Sequence, residues 1–340
     1  MNRSLRSHLL TVLLTLGLLS ALLLFTLTDT AARRPPSQIQ SNAQALAYFL
    51  PSTIHTSAQP TPPHSTQASQ PPNQSPGEGV EDIPLPKANL SMGEAETELA
   101  KAGIEEGGWW TPTKANAASL IIVPFRQRQA QLPIFLAHLH PFLQRKNITY
   151  RILIVEQAGS ERFNRARLFN VGASMAPRLG PGPWNCLVFH DVDLLPLRHA
   201  IPYSCHPDKP THLAVGMSTF KFKLPYAAFY GGVVALSPAQ MGAINGFSNS
   251  FWGWGGEDDD VGARVSYAGL KWHRPPSDQA RFQMLKHRRD AGNEENAQRF
   301  QLLKKTKQSW RSDGLSNLDF QIVSLQLEKL YTHLTVRFHR

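Results

Sequence analysis

An α/β fold with a mostly parallel, Rossmann-like sheet, set behind an N-terminal transmembrane helix and a disordered stem, is what the sequence predicts. Three observations predict it. An uncharged apolar run near the N-terminus is followed by a long Pro/Ser/Gln-rich stretch, and beyond that strand-like and helix-like segments alternate.

Residues 9–27 (LLTVLLTLGLLSALLLFTL) carry no charge and suffice to cross a bilayer as a helix rising about 1.5 Å per residue. They are read as an uncleaved signal-anchor, with residues 1–8 as a cytoplasmic tail. Arg3 and Arg6 before the run favour a cytoplasmic N-terminus, although Arg33 and Arg34 follow it. A cleaved signal peptide is the alternative, but its apolar core is usually shorter and the small-residue site near Thr30–Ala32 is poor.

Residues 28–108 are assigned to a lumenal stem. From Pro35 to Gly77 there is no Asp, Glu, Lys or Arg, and Pro, Ser, Thr and Gln dominate, so the segment cannot build a core. The apolar island QALAYFL (44–50) inside it has no account. Cys186 and Cys205 are the only cysteines of the 340 residues, and in an oxidising lumen such a pair bonds to itself, contributing about 3 kcal/mol in the chain-entropy account. Two buried thiols are the alternative. Asn73, Asn89 and Asn147 begin N-x-[ST] sequons, which matter only if the chain is secreted.

The folded head is expected over 109–340, with a hydrophobic content of 41% across the chain. SLIIVPF (119–125) reads as a strand, 129–144 as a helix, YRILIVEQ (150–157) as a strand and 164–176 as a helix. CLVFH (186–190), HLAVGM (212–217) and GGVVAL (231–236) read as further strands. In such a sheet ligands sit beyond the carboxyl ends of strands. The net charge of +10 suits an anionic partner without choosing one. A lumenal head never meets nucleic acid, so that partner is set aside.

Asp191 and Asp193 leave the strand CLVFH in the order Asp-x-Asp, where carboxylates meet either solvent or a hard divalent cation. In WGWGGEDDD the glycines around Trp254 allow a hinged lid over a sugar face. Glu257, Asp258, Asp259 and Asp260 open a helix, whose dipole favours acids at that end. Successive residues there point about 100° apart, so only one or two of the four reach a ligand. His287 with Met284 just before it does not by itself indicate a metal site, since Met is a soft ligand. There is no serine elbow, phosphate loop or zinc cysteine cluster.

PFRQR, FNRARLFNVG, DVDLLP, LPYAAFYGGV, INGF, WGWGGEDDD and DGLSNLDF follow one another between about residues 120 and 338. In that order they resemble the β-1,4-galactosyltransferase family. The resemblance implies a type A glycosyltransferase fold on a single-pass type II Golgi membrane protein. It also implies an inverting transfer of galactose from UDP-α-galactose to the 4-hydroxyl of terminal N-acetylglucosamine on glycoproteins or glycolipids. Mn²⁺ would be held by Asp193, Met284 and His287. Pro124, Phe125, Arg126, Phe163, Arg165, Asp191, Val192 and Trp254 would hold the UDP donor. Asp258 would be the base, with Glu257 and Trp254 beside it, and Asp258, Asp259, Arg299, Phe300 and Leu303 would meet the acceptor. The last three lie in a loop from about Leu285 to Lys305 that orders when donor binds.

This chain departs from the family in three ways. The family commonly has two disulfides, and Cys186–Cys205 matches one of them. Phe229 stands where many members have Tyr, and with Tyr226 it bears on galactose against N-acetylgalactosamine as donor. Val234 replaces a usual Ser, with no effect assigned. The alternatives are therefore a β-1,4-N-acetylgalactosaminyltransferase and a non-catalytic, lectin-like relative. Whether the chain forms a homodimer is left open.

Overall fold

The computed structural model describes residues 82–287 and 292–338. The tail, the predicted span 9–27, most of the stem and Asn73 lie outside the described residues. Among the described residues no helix is long and apolar enough to cross a membrane.

Strands β1 (Trp109–Trp110), β2 (Ala118–Phe125), β3 (Thr149–Gln157), β4 (Cys186–His190), β6 (Thr211–His212), β8 (Val233–Leu236), β10 (Gln321–Leu327) and β11 (Thr332–Arg337) form one sheet. Its order is β10-β11-β3-β2-β4-β8-β6, with β1 also on β3. The centre, β11-β3-β2-β4, is parallel. The pairings β10-β11, β1-β3, β4-β8 and β8-β6 are antiparallel. The expected mostly parallel sheet is thus corrected to a mixed one. Parallel neighbours need a crossover, and here helices supply it only in the first half of the domain.

Alternation along the central strands faces two cores. Ile121, Val123, Ile152, Ile154 and Val188 pack with Phe135, Leu139 and Phe142 of helix α2 (Leu132–Gln144). Leu120, Ile122, Leu153, Val155, Leu187 and Phe189 pack with Leu168, Phe169 and Met175 of helix α3 (Arg165–Met175). Truncating one of these buried phenylalanines would cost about 3–5 kcal/mol. Helix α3 is capped by Asn164, whose side chain accepts from Arg167 N at 2.9 Å. It lies close on β2, since a Cβ on Gly172 would collide with Ile122.

Two sequence boundaries change. Helix α1 (Met92–Glu98) falls in the segment assigned to the stem, so packed structure begins before Trp109. Ser91 and Glu94 form its capping box, and Leu90, Ala95 and Leu99 are buried in the α2-side core. Three apolar residues in a charged surrounding suffice to seat so short a helix. HLAVGM, expected as one strand, is split. Its first residue belongs to β6, while β7 (Gly216–Met217) joins β5 (Leu194–Pro196) and β9 (Arg281–Met284) in a second sheet of order β5-β9-β7. Cys186 and Cys205 are disulfide-bonded, with Cα atoms 5.1 Å apart, as expected. The sequon residues Asn89 and Asn147 are exposed.

Candidate active site

Strands β2, β3 and β4 run parallel and end along one edge, at Phe125, Gln157 and His190. Beyond that edge lie Arg126, the start of α3, and Asp191–Asp193. Helix α5 (Glu257–Tyr267) meets them from the far half of the chain, entered through Gly256 at φ 94°. That left-handed backbone is open to glycine at little cost.

Arg165, first residue of α3, joins the acids. Its Nε donates to Asp191 Oδ1 at 2.6 Å and its Nη1 to Asp258 Oδ1 at 2.6 Å and Glu257 Oε1 at 3.3 Å. Burial opposes the arginine's charge, but the carboxylates, Asp191 first, hold its pKa well above the ordinary value. Glu257 is buried and Asp258 lies next to it, so its pKa is pushed up to about 7. Its Oε2 is buried without a hydrogen-bond partner. Burial and then Asp193 push Asp191 up to about 6 against the pull of Arg165. Asp258 keeps 27% of its side chain exposed, as Asp191 does, so of the two acids of α5 that meet Arg165 it is Asp258, not the buried Glu257, that is both fixed and reachable. Asp259 points elsewhere and accepts from Tyr226 OH at 2.8 Å.

The second sheet brings the predicted metal ligands together. Leu194 pairs with Met284 across β5-β9, and Leu285 N donates to Asp193 O at 2.7 Å. His287 Nε2 lies 2.9 Å from Asp193 Oδ2. Arg128 Nη2 lies 2.9 Å from His287 Nδ1, and arginine only donates, so Nε2 carries the hydrogen toward Asp193. A carboxylate and an imidazole facing each other are donors that fit a Mn²⁺ ion, and the Met284 thioether would be a softer third donor. Among the described residues no group of three or more His, Cys, Asp and Glu is gathered.

The residues predicted to hold the donor are not all alike in placement. Phe163 packs on the α3 side, and Arg126 lies over its ring at 4.9 Å. The Arg126 guanidinium donates to Glu161 O at 2.6 Å and Gly292 O at 2.8 Å. Phe125 and Val192 are buried in the α2-side core instead, and Pro124 is buried in the strand before them. Alternation sends Phe125 to the face opposite Phe163, so the two rings are not brought together.

Trp254 is 55% exposed and held by its backbone to the segment before Arg299. Its N–H donates to Glu294 O at 2.9 Å, and Asn296 N donates to its carbonyl at 2.9 Å. Gly253 has φ 85°, and a Cβ there would collide with Glu294 O. Arg299, Phe300 and Leu303 are not in a loop but open helix α6 (Arg299–Ser309), because no proline or glycine interrupts 299–309. Arg299 stacks on the exposed Phe300 ring at 4.5 Å and pairs with Glu295. The two residues predicted to bear on donor choice touch, the Tyr226 and Phe229 rings meeting edge-on at 5.5 Å.

Sequence reasoning missed four positions. Arg128 was visible only as the second arginine of PFRQR. A Cβ on Gly231 would lie 2.5 Å from Asp258 Oδ2 and 2.7 Å from Phe229 Cζ, so this glycine makes room for the acid. His212 Nε2 bonds Gly231 O at 2.9 Å, and Arg274 donates to His212 Nδ1 at 3.0 Å and to the Ala227 and Phe229 carbonyls. No local pattern marks His212 or Arg274.

This fold and site define a glycosyltransferase. Residues 72–206 match the N-terminal region of glycosyl transferase group 7, and residues 211–288 match the N-terminal domain of galactosyltransferase. The chain belongs to the β-1,4-galactosyltransferase family. It is 38% identical over 334 residues to mouse (Mus musculus) β-1,4-galactosyltransferase 4, covering 94% of this chain and 95% of the relative. It is 48% identical over 234 residues to bovine (Bos taurus) β-1,4-galactosyltransferase 3, covering 68% of this chain and 59% of that relative's length. A mutant Drosophila β-1,4-galactosyltransferase 7, solved in complex with manganese, UDP-Gal and xylobiose, superposes with a TM-score of 0.56 at 28% identity. That match spans 66% of this chain and 95% of the other.

Proposed function

We propose that the chain transfers galactose from UDP-α-galactose to the 4-hydroxyl of a terminal N-acetylglucosamine, with inversion, from a Golgi type II anchor. The observation that carries it is Asp258, fixed by Arg165 and yet partly exposed at the edge where the three central strands end. Asp258 takes the proton of the acceptor hydroxyl as its oxygen bonds to the sugar C1. The bond from C1 to the diphosphate breaks with its electrons on the leaving oxygen, and attack from the opposite face yields the β-linkage. Arg165, Arg126 and Arg128 bring positive charge to the side the diphosphate occupies. Asp193, Met284 and His287 would hold Mn²⁺, which would supply Lewis-acid stabilisation of that leaving charge. Glu257, whose unpartnered oxygen is buried beside Asp258, would shape the sugar site, and Trp254 would cover the sugar and exclude water. The manganese and UDP-Gal of the Drosophila complex support this donor and metal.

The full-length chain in membranes should form the β-1,4 product from UDP-galactose and N-acetylglucosamine when Mn²⁺ is present. Asp258→Asn should abolish transfer while UDP binding persists. Undiminished transfer in chelator would sink the metal assignment, and near-normal turnover of the variant would remove Asp258 from the base role.

One observation favours a second donor. Phe229 has no hydroxyl beside Gly231 and Asp258, and the Tyr226 hydroxyl is engaged by Asp259. The site then leaves room for the acetamido group of UDP-N-acetylgalactosamine. Comparing the two donors in one assay decides, and Phe229→Tyr should shift the ratio toward galactose.

A further inference from the structure

Asp260, by sequence one more acid at a helix start, is 1% exposed. It lies two residues past Asp258, about 200° around α5, and so faces away from Arg165. Its Oδ2 accepts from Arg264 Nε at 2.6 Å, and its Oδ1 accepts from Thr306 Oγ1 of α6 at 2.6 Å. Arg264 is fully buried and its Nη1 donates to Asp313 O at 2.6 Å, so the acid stands on a fixed base.

Thr306 is the one buried residue of α6, a helix otherwise made of exposed Gln, Lys and Phe300 and of half-buried side chains. Arg299, Leu303 and Thr306 follow at i, i+4 and i+7 and share a face. At the near end Arg299 lies over Gly255 and Gly256, where an added Cβ would come 3.3 Å from Arg299 Cδ and 3.0 Å from Arg299 Cβ respectively. At the far end Trp310 is buried. Between them no apolar side chain of α6 is buried, and the hydroxyl of Thr306 alone meets a charged partner.

We propose that the Thr306–Asp260 hydrogen bond sets the register of α6 on α5, making these two residues positioning residues that hold the acceptor pocket at a fixed distance from the base. The inference rests on the acceptor reading of Arg299, Phe300 and Leu303 given above. The helix carrying the base and the helix carrying the acceptor contacts meet through this hydroxyl and carboxylate, with Arg264 Nη1 also 3.4 Å from the Trp310 carbonyl at the end of α6, and both groups are buried away from the open edge.

The test uses the full-length chain with Thr306→Val, which keeps the shape and removes the donor, and Thr306→Ser, which restores it. KM for each substrate, kcat, acceptor-free hydrolysis of UDP-galactose and the thermal midpoint are measured. T306V should raise the acceptor KM about tenfold, the loss of one hydrogen bond to a charged group. Donor KM and donor hydrolysis should stay within about twofold, and T306S should match the parent. An unchanged acceptor KM in T306V, or equal changes for both substrates and hydrolysis, would overturn the coupling. If T306V does not fold, T306A against T306S makes the same comparison, and equal acceptor KM values overturn it. A parent that transfers no galactose overturns the functional reading, and the coupling with it.

Discussion

Arg165 Nη1 reaches Asp258 Oδ1 at 2.6 Å across 93 residues of sequence, while its Nε holds Asp191 at the same distance. One guanidinium thus neutralises the acid at the end of β4 and the candidate base at the start of α5. Arg165→Gln should leave Asp191, Glu257 and Asp258 without their shared cation. Breaking such a partly buried cluster is expected to cost about 3 kcal/mol of stability, seen in denaturant titration. The displaced base should lower kcat/KM by about a hundredfold or more.

Glu257 gives a pH signature. Its pKa is raised to about 7 in the fold by burial and by Asp258, against about 4.3 in an unfolded chain. Between those values the folded state holds more protons than the unfolded one, so this group's contribution becomes destabilising as pH rises. Glu257→Gln should gain stability relative to the parent from about pH 4.5 to about pH 7 and keep that gain above it. Thermal midpoints across this range check the sign, and a gain that shrinks with rising pH would refute it.

Gly231→Ala tests the space beside the base. Its Cβ would press on Asp258 Oδ2 and the Phe229 ring, so one methyl should displace the acid or the ring. The expected stability loss is about 1–3 kcal/mol, and kcat should fall by about a hundredfold while Mn²⁺ affinity is unchanged. Steady-state kinetics with a metal titration separate these effects.

Removing the disulfide should act on stability alone. Cys186 opens β4, and Asp191 leaves its other end about 15 Å away. Cys186→Ser with Cys205→Ser should cost about 3 kcal/mol, and the folded fraction should keep its kcat. A lowered kcat at full folding would show that the bond also shapes the site.

Much of the central fold was legible because its signals are local. The expected strands 119–125, 150–157 and 186–190 and the helix 164–176 agree with the structure to within a residue at each end. Helix α1 escaped because its apolar residues are few and its neighbours are charged. HLAVGM escaped because six apolar residues cannot report that they divide between two sheets. Within the site, motif order pointed to Asp193, Met284 and His287 as ligands, while the pairing of Leu194 with Met284 and the 2.9 Å approach of His287 Nε2 to Asp193 Oδ2 exist only in the fold. His212 and Arg274 had no such signal, since they act through backbone carbonyls of a loop distant in sequence.

The sequence by itself determined the alternation of strands and helices, the single disulfide partner open to each cysteine, and the acids that open α5. Periodicity and composition carry that much, because each depends on neighbours within a few residues. Only the tertiary structure decided which acid would be reachable. Glu257 and Asp260 are buried, Asp259 is engaged by Tyr226, and Asp258 alone faces both Arg165 and the open edge. Four adjacent carboxylates are chemically alike until packing turns each toward a different environment, and that turning is set by the contacts of α5 with distant parts of the chain.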